Sequence, residues 1–303
     1  MRYKIFLFLA VLALLEIGCA FLLKNRYLND EKSLMYAYDA QLGWFPEKNS
    51  VKIFRGQQNT EVRHNELGFR DDAPQNSSKP KIAFIGDSFV WGFGVEKNER
   101  FTEFLRRDRP DWEVLNWGVS GYGTDQEYLL LQRQWGGGQR LQTVCLVFCH
   151  NDRSDNSSNM AYGYYKPYFV KQDGRLQLRG VPAPVNAMFI YKNLPAGLNR
   201  SSLALVALKI WEKMRARRAI QVPDLTADLV RATKQFVESK GSRFILAMVD
   251  KDAGLEQFCR EEPAACVDLS SWGDSYRFKS YGNHWNPRGH EAVSHTLENF
   301  IKQ

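Results

Sequence analysis

Apolar residues fill the start of the chain from Ile5 to Leu23, and only Glu16 and Gly18 interrupt them. A helix of this length extends about 28 Å, close to the ~30 Å hydrocarbon core of a bilayer. Basic residues flank both ends, and no small-x-small cleavage signal closes the run. The pattern predicts a membrane-spanning signal anchor over residues 1–28, with a cleaved signal peptide as the alternative. Because the flanking charges are nearly balanced, they do not fix the orientation, and we expect the remaining chain on the extracytoplasmic, periplasmic side.

From Lys81 onward, short apolar runs alternate with amphipathic stretches. The apolar runs predict buried strands at 81–86, 112–117, 143–149 and 243–249, with 266–269 as a candidate fifth strand. The amphipathic stretches predict helices over 99–107, 124–134, 226–241 and 287–301. Strands that alternate with helices are typical of a parallel sheet covered on both faces. The predicted fold class is therefore α/β, a three-layer α/β/α sandwich with a mostly parallel sheet.

Two segments do not follow this alternation. Residues 29–80 are polar and irregular, and we interpret them as a strap between the anchor and the main domain at 81–303. Residues 153–222 hold the aromatic, basic run AYGYYKPYFV, a predicted hairpin around Asp173–Gly174 and a predicted helix over 202–219. We interpret this second segment as an insertion, or lid, over the functional site.

Composition is ordinary for a globular chain of 303 residues, with 44% hydrophobic and 25% charged residues and a net charge of +7. The positive charge is dispersed and carries no nucleic-acid-binding signature, so we expect no nucleic-acid partner.

Cys145 and Cys149 share one strand about 13 Å apart and are expected to be free, buried thiols. Cys259 and Cys266 flank a predicted turn at Glu262-Pro263. Two alternatives remain for this pair, a disulfide in an oxidising compartment or two free thiols. No cysteine spacing indicates zinc.

Four motifs carry residue types suited to acyl transfer. Each follows a predicted strand or begins a helix, and the carboxyl ends of parallel strands are where such folds bind ligands. They are Ser88 in GDSF, Gly121 in NWGVSG, Asn151 in HND and His284 in NHWNPRGH. A serine can act as nucleophile, a histidine at a helix start as its base, and glycine amides with an asparagine as oxyanion donors. Together they predict a nucleophilic acyl-transfer site.

These four motifs, in this order, resemble the SGNH (GDSL-like) hydrolase superfamily over about residues 81–301. The neighbouring runs LGFRDD, GYGTDQ and YYKPYF are similar to a membrane-anchored bacterial branch of that superfamily. The resemblance implies that Ser88 is the nucleophile and His284 the base. It also implies that the backbone N–H groups of Ser88 and Gly121, with the Asn151 side chain, form the oxyanion hole. It implies no metal and no cofactor.

One position departs from the family pattern. The family usually places an aspartate within three residues before the histidine, where this chain has Tyr281, Gly282 and Asn283. Asp274 is our candidate for the acid that orients His284, with Asp268 the next upstream. A backbone carbonyl in that role is a further alternative.

The expected activity is that of a serine esterase acting on ester-linked acyl groups, chiefly acetyl. Its substrate is expected to be a cell-envelope or exported polysaccharide, because an aromatic-rich insertion suits stacking on sugar rings; a smaller ester or a lipid ester comes second. Two rival functions stay open. One is a polysaccharide O-acyltransferase with the same Ser–His site, and the other is a non-catalytic carbohydrate-binding pseudoenzyme, which the displaced aspartate would permit.

Overall fold

The computed structural model describes residues 2–23, 35–55, 58–73, 75, 77–136, 140–215, 219–262, 265–280 and 282–303. Its centre is a parallel sheet in the order β13-β12-β7-β5-β6. These strands are β5 (Lys81–Gly86), β6 (Glu113–Gly118), β7 (Thr143–Phe148), β12 (Arg243–Met248) and β13 (Ala265–Asp268). The predicted parallel α/β sheet is confirmed, including its fifth strand.

Helices cover both faces of the sheet. Alternate side chains of β5 point to opposite sides, so Ile82 and Phe84 join one apolar cluster while Ala83 and Ile85 join the other. The first cluster includes residues of α3 (Phe101–Asp108) and α10 (Pro287–Ile301), and the second includes residues of α4 (Thr124–Gly136), α8 (Thr226–Ser239) and α9 (Ala253–Glu261). The result is the three-layer sandwich that the alternating pattern predicts.

Residues 36–63 are more ordered than the predicted irregular strap. They form two antiparallel hairpins, β1 (Tyr36–Asp39) with β2 (Gly43–Pro46), and β3 (Val51–Arg55) with β4 (Asn59–Arg63). Trp44 is buried in the core, and its carbonyl accepts the Tyr122 hydroxyl at 2.5 Å. The buried Arg70 guanidinium then donates to Gly92 O at 2.6 Å and Val95 O at 2.9 Å. The strap therefore fixes the loop that follows Ser88.

The apolar N-terminal run forms one helix, α1 (Arg2–Leu23), and its side chains are mostly exposed. Glu16, which interrupts the run, contacts the insertion. Its carboxylate accepts from Ser201 Oγ at 2.7 Å, from Leu203 N at 3.1 Å and from Ser202 N. These donors lie at the start of α7 (Ser202–Arg215), where helical N–H groups have no partner within the helix. Glu16 thus caps α7 from α1.

The insertion holds short strands and two helices. Two hairpins come first, β8 (Met160–Ala161) with β9 (Tyr164–Tyr165), and β10 (Tyr168–Gln172) with β11 (Arg175–Arg179), followed by α6 (Ala187–Lys192) and α7. The predicted turn at Asp173–Gly174 is confirmed, with φ of 50° and 73°. The predicted helix over 202–219 is observed from Ser202 to Arg215; residues 216–218 lie outside the described residues, and Ala219 is not helical.

The five cysteines take two forms. Cys259 in α9 and Cys266 in β13 form a disulfide, which settles the alternative left open by the sequence. Cys145 and Cys149 are free and buried, as predicted, and Cys19 lies in α1. Pro263, part of the predicted turn between the bonded pair, lies outside the described residues.

Candidate active site

Ser88 lies at the first residue of α2 (Ser88–Trp91), directly after β5. Asp87 caps this short helix, because its Oδ1 accepts the Phe89 N–H at 2.9 Å. Gly92 ends the helix with φ of 85°, a left-handed conformation that favours glycine. A Cβ on Gly118 of β6 would come within 2.3 Å of Trp91 N, so only glycine lets α2 pack this closely on the sheet. These contacts hold the Ser88 hydroxyl at the carboxyl edge of the sheet.

His284 lies far from Ser88 in sequence but contacts it in the fold. Its Nε2 lies 2.7 Å from Ser88 Oγ. The imidazole is stacked between the rings of Phe89 and Phe93, with centroid distances of 4.7 and 4.4 Å. The His284 carbonyl accepts the Phe278 N–H at 2.8 Å, which ties the loop to the preceding segment. Packing on two faces and a bonded backbone restrict the ring to the orientation that faces Ser88.

Asn151 is held by two carboxylates. It begins α5 (Asn151–Asn156) after β7, and its Nδ2 donates to Asp87 Oδ2 and to Asp155 Oδ2, each at 3.3 Å. Asp87 Oδ2 is also 3.1 Å from Ser88 Oγ. Asp87 therefore links the serine to the asparagine, and both lie at one edge of the sheet.

Gly121 lies in the loop that joins β6 to α4 and has φ of 81°. This loop is anchored beside Ser88, since Val119 N donates to Gly86 O at 3.0 Å. A Cβ on Gly123 would come within 2.8 Å of Asn156 Oδ1, so the loop also packs closely on α5. The glycine loop and the Asn151 helix are thus built against each other.

The candidate acids for orienting His284 are not brought to it. Asp274 is exposed at the start of a 3-10 turn, Asp274–Tyr276, and no contact with His284 occurs in the part of the chain that the structure describes. Asp268 is also exposed, and its Oδ1 accepts the Ser270 N–H at 2.7 Å. Tyr281, at the position where the family usually has its aspartate, lies outside the described residues.

Comparisons with known proteins give similarity at the level of architecture. No family model matches the chain, and no curated protein matches it. Solved structures with a similar arrangement include two lipolytic proteins of the G-D-S-L family. The one from Desulfitobacterium hafniense is 12% identical, with a TM-score of 0.41, over 73% of this chain and 99% of its own. The one from Veillonella parvula is 13% identical, with a TM-score of 0.43, over 74% and 99%.

A putative acylhydrolase from Bacteroides fragilis is similar to the same degree, with 12% identity and a TM-score of 0.42 over 76% of this chain and 90% of its own. The chain resembles these hydrolases in fold. At such identities and TM-scores the likeness is confined to the arrangement of helices and strands. The chemistry therefore has to be derived from the residues of this chain.

Acidic residues that sequence reasoning did not single out lie beneath the site. Glu127 and Asp152 are completely buried, and no hydrogen-bond partner reaches either Glu127 oxygen among the described residues. Burial, and then the charge of Asp152, raises the pKa of Glu127 well above its usual value. Burial, and then the charge of Asp87, raises the pKa of Asp152 in the same way. Because buried carboxylates repel each other, this pair favours a state in which one member is protonated.

Tyr162 belongs to the aromatic run AYGYYKPYFV of the insertion. It occupies the turn between β8 and β9 with φ of 53°, unusual for a side chain of this size, and it is 55% exposed. Partial burial, and then the charges of Asp155 and Asp87, raises the pKa of its hydroxyl. The hydroxyl is therefore close to the carboxylates that flank Ser88. A residue with this unusual backbone conformation, near the carboxylates around Ser88, is a candidate substrate contact.

A cavity of about 910 Å³ lies within the insertion rather than over Ser88. Its lining includes Tyr165, Tyr168 and Trp211, and none of Ser88, Gly121, Asn151 and His284 contributes to it. The insertion therefore has a concave surface of its own.

Proposed function

We propose that this protein is a serine esterase that hydrolyses ester-linked acyl groups. The observation that carries the proposal is the 2.7 Å contact between Ser88 Oγ and His284 Nε2 at the carboxyl edge of the sheet. A hydroxyl within hydrogen-bond reach of an imidazole is the arrangement that nucleophilic acyl transfer requires.

The reaction begins when Ser88 Oγ attacks the ester carbonyl and His284 Nε2 takes the hydroxyl proton. The tetrahedral intermediate collapses to an acyl-serine, and His284 returns the proton to the leaving alcohol. Water then attacks the acyl-serine with His284 again acting as base, which releases the acid and restores Ser88. No step needs a redox partner.

Three donors are proposed to stabilise the oxyanion. Ser88 is the first residue of α2, where the backbone N–H has no partner within the helix. Gly121 contributes its N–H from the adjoining loop, and Asn151 turns its amide from the two carboxylates towards the substrate. The 3.3 Å bonds to those carboxylates are longer than a typical charge-assisted bond, so this rearrangement costs little.

For the substrate we propose an acetylated sugar of a cell-envelope or exported polysaccharide. Tyr162 supports the proposal, because its exposed aromatic ring, near the carboxylates around the serine, can stack on a sugar ring. The other aromatic residues of the run give less support than the sequence suggested, since Tyr164, Tyr165 and Phe169 are buried. Their role is to hold the insertion in place.

We further propose that α1 anchors the protein in a membrane with the sheet domain on the periplasmic side. Residues Arg2–Phe21 are long and apolar enough to span a bilayer. The contact between Glu16 and the start of α7 supports an anchor that is retained rather than cleaved, because cleavage would leave α7 without its cap.

Release of p-nitrophenol from p-nitrophenyl acetate tests the esterase. We expect Ser88→Ala to abolish release above the uncatalysed rate in the full chain in detergent, while Ser239→Ala, at the far end of α8, leaves the rate unchanged. A wild type no faster than Ser88→Ala would exclude hydrolysis of this ester and favour the carbohydrate-binding alternative. Adding a sugar acceptor and detecting an acetylated product by mass spectrometry would instead identify an O-acyltransferase.

A further inference from the structure

Three metal-binding side chains meet beside the active site, at the ends of two neighbouring strands. Cys149 and His150 follow β7, and Asp250 follows β12. Cys149 Sγ lies 3.7 Å from His150 Nδ1 and 3.6 Å from Asp250 Oδ2, and His150 Nδ1 lies 2.9 Å from Asp250 Oδ2. This group is not recognisable from the sequence, because Asp250 lies 100 residues after His150 and the spacing matches no zinc motif.

We infer that Cys149, His150 and Asp250 bind a divalent transition metal, with zinc as the best match. Zinc takes sulfur at about 2.3 Å, nitrogen at about 2.05 Å and carboxylate oxygen at about 2.1 Å. An ion placed at those distances from the three donor atoms makes angles of about 116° (S–Zn–N), 110° (S–Zn–O) and 89° (N–Zn–O). Two of these angles lie within about 7° of the tetrahedral value and the third is about 20° smaller, so the donor separations fit an ion in a distorted tetrahedral site.

The donor types and their surroundings select the class of ion. One thiolate, one imidazole and one carboxylate suit zinc or cobalt rather than magnesium or calcium, which prefer oxygen alone. Burial, and then the charge of Asp87, raises the pKa of the Cys149 thiol, so the ion has to displace the thiol proton when it binds. On the opposite side, Arg277 Nη1 lies 3.6 Å from Asp250 Oδ1. Because Arg277 contacts Oδ1, Oδ2 stays directed at Cys149 and His150. Metal-binding carboxylates are commonly oriented by a second residue in this way.

His150 is the exposed member of the group, with 71% of its side chain exposed, whereas Cys149 is buried. A site with three protein ligands and an open position can exchange its ion and take a water molecule.

The site also adjoins the two loops that carry Asn151 and His284. His150 precedes Asn151, and Arg277 donates to the carbonyls of Val249 at 2.9 Å and Asn283, the neighbour of His284, at 3.2 Å. A bound ion would brace the two loops that carry the asparagine and the histidine.

Cobalt spectroscopy on the tag-free full chain in detergent tests the inference without using the ester reaction. We expect Co²⁺ to produce a thiolate-to-cobalt charge-transfer band and strong d–d bands that saturate at one ion per chain, and Zn²⁺ to abolish them. Cys149→Ser should remove the charge-transfer band. Cys145→Ser is the matched control, a buried free cysteine four residues earlier that should leave the spectrum unchanged.

His150→Ala gives a second check, because this exposed side chain can be removed without disturbing the core; we expect Co²⁺ affinity to fall by at least about tenfold. A surface group at Asp108, His295 and Glu298 contains no sulfur, so cobalt bound there cannot produce the charge-transfer band. A wild type without that band, or a Cys149→Ser variant that keeps it, would overturn the inference. The esterase proposal stands or falls separately, on Ser88.

Discussion

At the scale of single residues, Asn151 is the group whose partners must change during the proposed reaction. Its amide is shared between Asp87 and Asp155 in the absence of substrate. A developing oxyanion would compete for the same N–H groups. The two carboxylates therefore position the amide but also weaken its donation until substrate binds.

We predict that Asn151→Ala lowers kcat by about 10²- to 10³-fold with a smaller change in KM, because an oxyanion donor acts mainly in the transition state. Steady-state kinetics with p-nitrophenyl acetate would measure both constants. Asn199→Ala, outside the site, is the control. An unchanged kcat in Asn151→Ala would remove the side chain from the oxyanion hole.

Tyr162 provides a second prediction at this scale. If its ring stacks on sugar, Tyr162→Ala should raise KM for an acetylated oligosaccharide by about 5- to 160-fold, given about 1–3 kcal/mol for a stacked ring. The KM for p-nitrophenyl acetate, which carries no sugar, should change much less. Tyr162→Phe keeps the ring and should retain sugar affinity. Equal losses for both substrates would show that the residue supports the fold rather than the sugar.

The residues that sequence alone could identify share one property. Ser88, Gly121, Asn151 and His284 each lie in a short motif at the end of a strand or the start of a helix, so local patterning places them at one edge. Tyr162 and Asp250 carry no such signal, because only the packing of distant segments brings them to that edge. For the same reason the choice of Asp274, made from nearness in sequence, was not supported by contact in space.

At the scale of elements, the sheet strands were predictable and the strap hairpins were not. Strands β5 and β7 are continuous apolar runs because helices cover both of their faces. Strand β2 is also fully buried, yet it has only four residues and ends in Pro46, which interrupts any alternating pattern. Its burial depends on the partner surface around Tyr122 and Gln126, which the local sequence does not show.

The disulfide between α9 and β13 yields a prediction at this scale. It closes a loop with a sequence separation of 7, which in the loop-entropy description stabilises the fold by about 2.4 kcal/mol. We expect Cys259→Ala with Cys266→Ala to lower the free energy of unfolding in urea by about that amount. A reductant should destabilise the wild type equally and leave the double variant unaffected. Equal stability of the two proteins would show that the bond carries no stabilising constraint.

At the scale of the whole molecule, the three layers enclose two carboxyl groups close to the carboxyl edge of the sheet. Glu127 comes from a covering helix, α4, and Asp152 from α5 at the end of β7, so the fold itself brings them together. Burial raises the pKa of Glu127 in the folded protein, whereas the unfolded chain ionises near the usual value. The folded state therefore holds a proton that the unfolded state loses, and stability falls as pH rises above about 4.5, until the raised pKa is passed.

Glu127→Gln tests this account, because glutamine keeps the shape of the protonated acid and cannot ionise. We predict that the variant gains free energy of unfolding relative to wild type as pH rises from 5 to 9, by up to about 1.4 kcal/mol per pH unit. Urea unfolding in detergent at pH 5, 7 and 9 would measure the difference. Glu66→Gln, at an exposed position, should show no such trend. A difference between Glu127→Gln and wild type that does not vary with pH would mean that Glu127 is ionised in the fold, and that Asp152 holds the shared proton instead.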